Sequence, residues 1–539
     1  MSISQSSTIS VDSEKNIKPS VDVVVYSLGC KTNQYEGEAL VAEFGIHGVR
    51  ASEKMQQASV YIINTCSVTV EADRKSRQIC RRAKSLNKDA VVYVCGCAVA
   101  MCTDEYFAEA KVIAGAMDKT KIVNQILSTH KFEKYTFTNT NVQNGVSSNN
   151  SNIVSNTLKH SISIPYLNKN TNNSILKNID VSTNSIISKN SVVSSATVDS
   201  TVEQVSGPCQ GCASASSCGS SSSTTALNSE NSALVSESSN ILSNINVTRH
   251  ARKHIKIQDG CNDFCSFCII PFLRGRSRSR TVDDVVREIR ETDTNEIVLT
   301  GINITRYGDD NGCTLTQLVQ NIETDARIRI SSIECNAINW ELLDAMVRNN
   351  GCNHFHLSLQ SGSDKVLRAM NRKYNVEHFV SKVELIRRMM GSNSAITTDI
   401  IVGYPSENEK DFEDTLNLVD QIQFSDVHAF KFSPRPKTVA ARLPQLPSHI
   451  VDARFEKLRQ KINYHKSNFL NKQLGTTHEV VFENVSNSAP SGYTRNYCKV
   501  ECRDAKPNSV GIVTIVGIDG ETLIGELVSM HNAQCTMHN

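Results

Sequence analysis

No run of about 18 apolar residues occurs along the 539-residue chain, so no segment has the length and apolarity of a membrane-spanning helix. The opening segment, "MSISQSSTISVDSEKNIKPS", likewise lacks the apolar core of a secretory signal. A cytoplasmic chain is expected, and its 18 cysteines then read as metal ligands or reduced thiols rather than a disulfide frame. Net charge is nearly absent too, at +2 from 57 basic and 55 acidic residues. Overall charge therefore gives no argument for a nucleic-acid partner. Positive charge is instead concentrated in two places, "RKSRQICRRAK" (74–84) and "RGRSRSR" (274–280). The first reads equally well as a solvated helix face.

Composition divides the chain into four parts. Residues 20–130 alternate apolar runs ("DVVVYSLG", "ASVYIIN", "AVVYVCG") with helical patterns near 33–45 and 69–86. That alternation predicts a wound βαβ domain whose parallel strands are covered on both faces. Residues 131–247 are rich in Ser and Asn and lack a sustained period. They are expected to be a disordered insertion, because little apolar burial offsets an ordering cost of about 1–2 kcal/mol per residue. Within it, Cys209, Cys212 and Cys218 form a C-x2-C-x5-C pattern that is given no role. Strand–helix alternation resumes at 248–474, where six βα units predict a partial or full β/α barrel or an open wound sheet, followed by a helical connector. Residues 475–539 carry short alternating strands that fit a small antiparallel β-barrel. The fold class is thus α/β with a small β-barrel at its end.

One further absence is local. "DGCNDFCSFC" places Cys261, Cys265 and Cys268 as C-x3-C-x2-C after the first strand of the third part, and no cysteine follows until Cys313. Soft thiolates so close together suit an iron–sulfur cluster or zinc. Three ligands leave one metal position open, which is the mark of chemistry rather than scaffolding. Zinc completed by His254 or a distant cysteine is the alternative. Three more cysteines, Cys30, Cys66 and Cys97, each follow a predicted strand of the first part. Parallel strands end on one sheet edge, so these thiols can meet at one point and hold a second cluster. Cys95 is expected to point away within its strand, Cys102 to lie past the loop, and Cys80 to pack within a helix.

C-x3-C-x2-C at the end of a first barrel strand resembles the signature of radical S-adenosylmethionine (SAM) enzymes, in which the open iron chelates the methionine moiety of SAM. That resemblance implies cofactor contacts at strand ends: Gly301 and Asn303 in "TGIN", Glu334 in "SSIE", Gln360 and Ser361 in "LQSGS", and Asp399 in "TDIIVGYP". Arg274 and Arg280 stand where a carboxylate or phosphate can be held. The order of parts resembles the methylthiotransferases, with a three-cysteine domain, a radical SAM barrel and a TRAM-type RNA-binding barrel. "LGCKTNQYEGEAL", "KIQDGCNDFCSFCIIP" and "LQSGSDKVLRAMNRKY" look most like the MtaB-type branch, the threonylcarbamoyladenosine tRNA methylthiotransferases. Where the family usually has "FPGET", this chain has "YPSEN" (404–408), keeping Pro405 and Glu407 but losing a glycine.

What the resemblance implies is a sulfur-transferring enzyme with two 4Fe–4S clusters and SAM. Its implied substrate is N6-threonylcarbamoyladenosine beside the tRNA anticodon, converted to the 2-methylthio derivative. The adenine C2–H is not acidic, so no side-chain base activates it, whereas a carbon radical from SAM does. No side chain is assigned as catalytic, and the sulfur and electron donors are unassigned. Tyr493, Arg495, Tyr497 and Lys499 in "GYTRNYCKV" read as an RNA-binding surface or as packing. The isopentenyladenosine branch and the branch modifying a ribosomal-protein aspartate are the enzyme alternatives. An RNA-binding protein with structural clusters is the other class, and it predicts fully ligated clusters.

Overall fold

Continuous apolar runs bounded by turn residues build the first sheet. In the computed structural model its parallel strands are β1 (Val23–Ser27), β2 (Ala51–Ser52), β3 (Val60–Thr65), β4 (Val91–Gly96) and β5 (Lys111–Ala114), ordered β2-β1-β3-β4-β5. Val24, Tyr61, Ile63 and Val94 pack on one face against Ile79, Cys80 and Ala83 of the helix Val70–Leu86. Val23, Val25, Ile62 and Cys95 pack on the other, against the helices Lys31–Ile46 and Ile122–Thr129. Two strands escaped the sequence reading because β2 has only 2 residues and β5 only 4, too few to show a period.

The structure describes residues 21–101, 107, 110–115, 119, 121–132, 251–483 and 489–530. Nearly all of the expected insertion, with Cys209, Cys212 and Cys218, lies outside the described residues, as does Cys102. No helix among the described residues is long and apolar enough to cross a membrane.

The second sheet system holds β6 (Arg252–Asp259), β7 (Arg278–Ser279), β8 (Glu296–Gly301), β9 (Arg327–Ile330), β10 (His354–His356), β11 (Ala395–Val402) and β12 (Asp426–Lys431). The orders β7-β6-β8-β9 and β10-β11-β12 are joined by bridges from Ile328 to Gly351 and from Ile333 to Leu357. Apart from antiparallel β7 the array is parallel. It forms a partial β/α barrel. Alternation then divides its residues. Ile255, Ile257, Leu299, Ile328, Phe355 and Ile396 enter the apolar core with the surrounding helices. The residues between them are buried but polar, including Lys256, Gln258, Glu296, Arg327, Arg329, His354 and His356.

The helix Ser448–Asn471 leads into a closed barrel of β13 (Thr477–Glu483), β14 (Ser491–Thr494), β15 (Lys499–Glu501), β16 (Val510–Asp519) and β17 (Thr522–Met530), ordered β13-β14-β15-β17-β16. Val480, Phe482, Val500, Val513 and Leu523 fill it. One charge cluster docks this barrel onto the β/α unit. Glu296, fully buried at the start of β8, accepts from Arg327 Nε at 2.6 Å and Arg329 Nε at 2.8 Å. The same arginines donate to the carbonyls of Tyr493 (2.6 Å), Thr494 (3.1 Å) and Arg495 (3.2 Å). Tyr497 stacks on His354 at 4.5 Å and on Tyr493 at 4.7 Å, and Arg252 lies over the Tyr493 ring at 4.4 Å.

Those guanidiniums hold the Glu296 carboxyl far below its ordinary value of 4.5, against the burial that would raise it. Its stabilisation is therefore complete above about pH 4.5 and is lost as pH falls toward the folded-state value. Glu296→Gln leaves buried arginines without their counter-charge and should cost about 3–5 kcal/mol at pH 7. Denaturant titrations at pH 3 to 7 should show the gap between variant and wild type closing with acid. A pH-independent gap would place the effect elsewhere.

Candidate functional site

The strand end after β6 sets the first thiol loop. Gly260 has φ +74°, and a Cβ there would stand 2.0 Å from the Arg276 carbonyl, so only glycine lets the chain turn under residues 275–277. Cys261 N–H donates to Gly275 O at 3.1 Å, and Cys268 N–H to Cys265 O at 2.9 Å. Gln258 ties this loop to the next strand end. Its Nε2 donates to Gly260 O at 2.8 Å, and its Oε1 accepts from the Ile302 and Asn303 N–H groups at 3.1 and 2.8 Å. Asn303 in turn reaches Cys261 Sγ at 3.6 Å and Asp263 at 2.6 Å. Burial pushes the Cys268 thiol up to about 12, and the neighbouring Cys265 and Cys261 add to that. Three thiolates are thus disfavoured unless a cationic centre sits among them, and the soft donor set fits an iron–sulfur cluster.

Of the residues expected around this loop, Glu334 lies close to it. Its carboxylate pairs with Arg372 at 2.9 Å, and Arg372 Nη1 also donates to Cys265 Sγ at 3.4 Å. Arg372 is held by Ser358 O at 2.8 Å and the Tyr374 hydroxyl at 2.9 Å. Arg372 escaped the sequence reading, although it stands in the quoted "AMNRKY", because a lone arginine has no spacing signature. Gly301 and Asn303 are partly exposed beside the loop, while Gln360 and Ser361 are buried where β10 ends. Gln360 has φ +75°, its N–H donating to Asp399 O at 2.8 Å.

Asp399 sits between two imidazoles, with His356 Nε2 at 3.2 Å and His428 Nδ1 at 3.4 Å. Against burial, they hold its carboxyl well below the usual range. These histidines had no sequence signal, since they come from different strands, β10 and β12, far apart in the chain. At the "YPSEN" departure, Ser406 has no left-handed φ, so the backbone needs no glycine there. Glu407 pairs with the buried Arg454 at 2.7 Å.

The second thiol set comes from three parallel strand ends. Gly29 (φ +89°) precedes Cys30, and a Cβ on it would lie 2.6 Å from Cys66 Sγ. Asn33 Nδ2 donates to Leu28 O at 2.8 Å and Thr65 O at 3.0 Å, closing the first two loops together. Thr65 Oγ1 donates to Cys95 O at 2.5 Å and accepts from Ala98 N–H at 3.2 Å, adding the third. Burial raises the Cys66 thiol to about 12, with contributions from Cys30 and Cys97. Cys66 and Cys97 are buried and Cys30 is exposed. This donor set fits a second cluster by the same reasoning. Cys95 lies in the core on the opposite face, and Cys80 packs under its helix.

Arg274 stands apart from the expected cofactor contacts. Fully buried, it donates to Glu36 and Asp259 at 3.0 Å each and to Asn33 Oδ1 at 2.7 Å. Lys256 joins with 2.9 Å to Glu36 and 3.2 Å to Asp259, and Lys119 also pairs with Glu36. Arg280 is similarly engaged, by Asp284 at 2.7 Å and by Glu288. A second tie runs from Arg435 to Ser67 at 2.6 Å and Asp73 at 2.7 Å. Cys97 packs with Ile269 and Leu273, immediately after Cys268. The two thiol sets therefore share a wall. Of the two readings open for "GYTRNYCKV", Tyr493 and Tyr497 follow packing: the rings are stacked beneath the β/α unit, and Arg495 bonds Asn350 Oδ1 at 2.6 Å.

Residues 255–419 match the model of the radical SAM superfamily, and residues 22–117 that of uncharacterized protein family UPF0004. A threonylcarbamoyladenosine tRNA methylthiotransferase MtaB of Bacillus subtilis is 30% identical over 495 residues, covering 89% of each chain. The Thermotoga maritima protein of that name is 29% identical over 490 residues, covering 89% of this chain and 91% of its own. The chain belongs to the radical SAM methylthiotransferases. A tRNA-2-methylthio-N(6)-dimethylallyladenosine synthase of Alkaliphilus oremlandii is 35% identical over 292 residues, but that covers 52% of this chain and 59% of its own. As in radical SAM enzymes generally, a 4Fe–4S cluster and SAM are implied.

In this methylthiotransferase, Arg274→Met removes the charge that Glu36 and Asp259 face and should cost about 3–5 kcal/mol. Denaturant unfolding measures the loss. Iron bound after reconstitution should fall at both thiol sets together, because the network braces both. Stability within about 1 kcal/mol of wild type would show the network is not a brace.

Proposed function

We propose that the protein is a tRNA methylthiotransferase that converts N6-threonylcarbamoyladenosine next to the anticodon into its 2-methylthio derivative. The observation that carries this reading is two incomplete thiol triads backed onto one wall. Similarity to the MtaB proteins over nearly the whole chain supports the threonylcarbamoyl substrate, since the dimethylallyladenosine synthase aligns over about half.

Cys261, Cys265 and Cys268 would hold the 4Fe–4S cluster that binds SAM, and Cys30, Cys66 and Cys97 a second 4Fe–4S cluster. The first cluster and SAM supply radical chemistry at an unactivated C–H bond, and the second presents sulfur. Gly301, Asn303, Glu334, Gln360, Ser361 and Asp399 would contact SAM. Arg372 orients Glu334 and offsets thiolate charge at Cys265, while Asp263 and Asn303 steady Cys261. Arg274 acts as a positioning residue through Asn33 and Glu36. An unpaired anticodon loop lets the base splay out between the two loops. The closed C-terminal barrel would bind RNA as a TRAM domain by faces other than its Tyr493–Tyr497 edge. The cytoplasm, where tRNA is modified, is the expected location.

Mass spectrometry of tRNA nucleosides from a deletion strain should show loss of 2-methylthio-threonylcarbamoyladenosine. Loss of the isopentenyl derivative instead would move the assignment to the sister branch. Anaerobically reconstituted protein should hold about eight irons. Cys66→Ser should halve the iron, keep reductive SAM cleavage and abolish methylthiolation. A variant that still methylthiolates would remove the second triad from the reaction.

A further inference from the structure

The helix Val70–Leu86 has a positive face that neither thiol set nor the interdomain ties use. Its apolar side is committed to the first sheet through Ile79, Cys80 and Ala83. Its two acids lie in the first turn and are both engaged, Glu71 by Arg74 at 2.8 Å and Asp73 by Arg435 at 2.7 Å. From Lys75 onward the helix carries Lys75, Arg77, Arg81, Arg82 and Lys84 and no acid. Arg81 and Arg82 are exposed, and among the described residues no carboxylate pairs with them.

Spacing organises these side chains. Lys75, Gln78, Arg82 and Ser85 follow one another at intervals of three and four residues, so they form one stripe, with Arg81 beside it. With Tyr26 from β1 they line an open groove of about 530 Å³. Lys75 and Arg82 are about 10 Å apart along the helix axis. The groove offers ammonium, guanidinium, amide and hydroxyl donors and no carboxylate. Such a surface selects a ligand with acceptor oxygens and negative charge repeated every few ångströms, which describes a nucleic-acid backbone. The helix begins four residues after Cys66, so the groove lies within about 25 Å of the second thiol set along the helix.

We propose that this groove holds backbone phosphates of the tRNA whose base is modified at the thiol triads. The inference rests on the tRNA reading above and adds a named anchoring surface on the N-terminal domain. These contacts are independent of base identity and act by releasing counterions.

The test uses the full reconstituted protein, with fluorescence anisotropy of a labelled tRNA transcript measured from 50 to 300 mM salt. The Lys75→Gln, Arg81→Gln, Arg82→Gln triple variant should bind at least 10-fold more weakly at the low-salt end. Its log affinity against log salt should be shallower by about 2–3, one phosphate contact per charge removed. Reductive SAM cleavage without tRNA should equal wild type, which shows that the variant folds and loads its clusters. Arg290→Gln with Lys457→Gln, removing charges elsewhere, should leave the slope unchanged. Wild-type slope and affinity in the triple variant would overturn the groove while leaving the tRNA reading intact. A wild-type protein that binds no tRNA would overturn both, and one that binds an acidic polypeptide as tightly would overturn the groove alone.

Discussion

The ion network around Arg274 is the constraint on which the site depends. Glu36 belongs to the helix that starts at Cys30, Asp259 to the strand that ends before Cys261, and Arg274 to the helix after Cys268. Asn33, bonded to Arg274, also clamps the loops of Cys30 and Cys66. One buried guanidinium therefore fixes both thiol sets. Burial on this scale is costly for single charges, and the arrangement holds because two carboxylates and two lysines complete it. A flexible tether would leave the two loops free to separate. The network instead sets a single spacing between the two thiol sets, as the proposed reaction at one base would require.

Opposite ends of the β/α unit carry opposite duties. At the carboxyl ends of β6, β8 and β9, turns and loops carry the partly exposed thiols and Asn303 and the buried Glu334. At the amino ends, Arg252, Glu296 and Arg327 open their strands; Arg327 donates to the Tyr493 carbonyl of the C-terminal barrel, Arg252 to the Glu483 carboxylate, and Glu296 holds Arg327 in place. Rigidity at that end costs the chemistry nothing, because no expected cofactor contact lies there.

Much of this was legible in the sequence for physical reasons. Cys261, Cys265 and Cys268 stand out because thiols gathered on one loop are close in sequence. Cys30, Cys66 and Cys97 do so because parallel strands end together. The apolar periods of 22–29, 58–64 and 69–86 place the first sheet and its helix within two or three residues of β1, β3 and Val70–Leu86. Arg274 was legible as a special arginine but not for its partners, which are 15 and 238 positions away. Arg372, His356, His428 and Asp263 were silent, since a charge pair leaves no period. Tyr493 and Tyr497 stayed ambiguous because alternating aromatic and basic residues look alike whether they meet RNA or a neighbouring domain.

The placement of positive charge near the thiols follows from their burial. Desolvation raises the Cys66, Cys97, Cys265 and Cys268 thiols, so each set works against its own ionisation. Within each set one thiol has a cation nearby: Arg372 bonds Cys265, and Arg274 with Lys119 pulls Cys97 downward. Neither arginine is free to leave, because each also answers a buried carboxylate, Glu334 or Glu36. The same charges thus hold the walls and lower the cost of gathering thiolates at each set. Removing one changes both properties at once, which is why these arginines cannot be divided into structural and functional kinds.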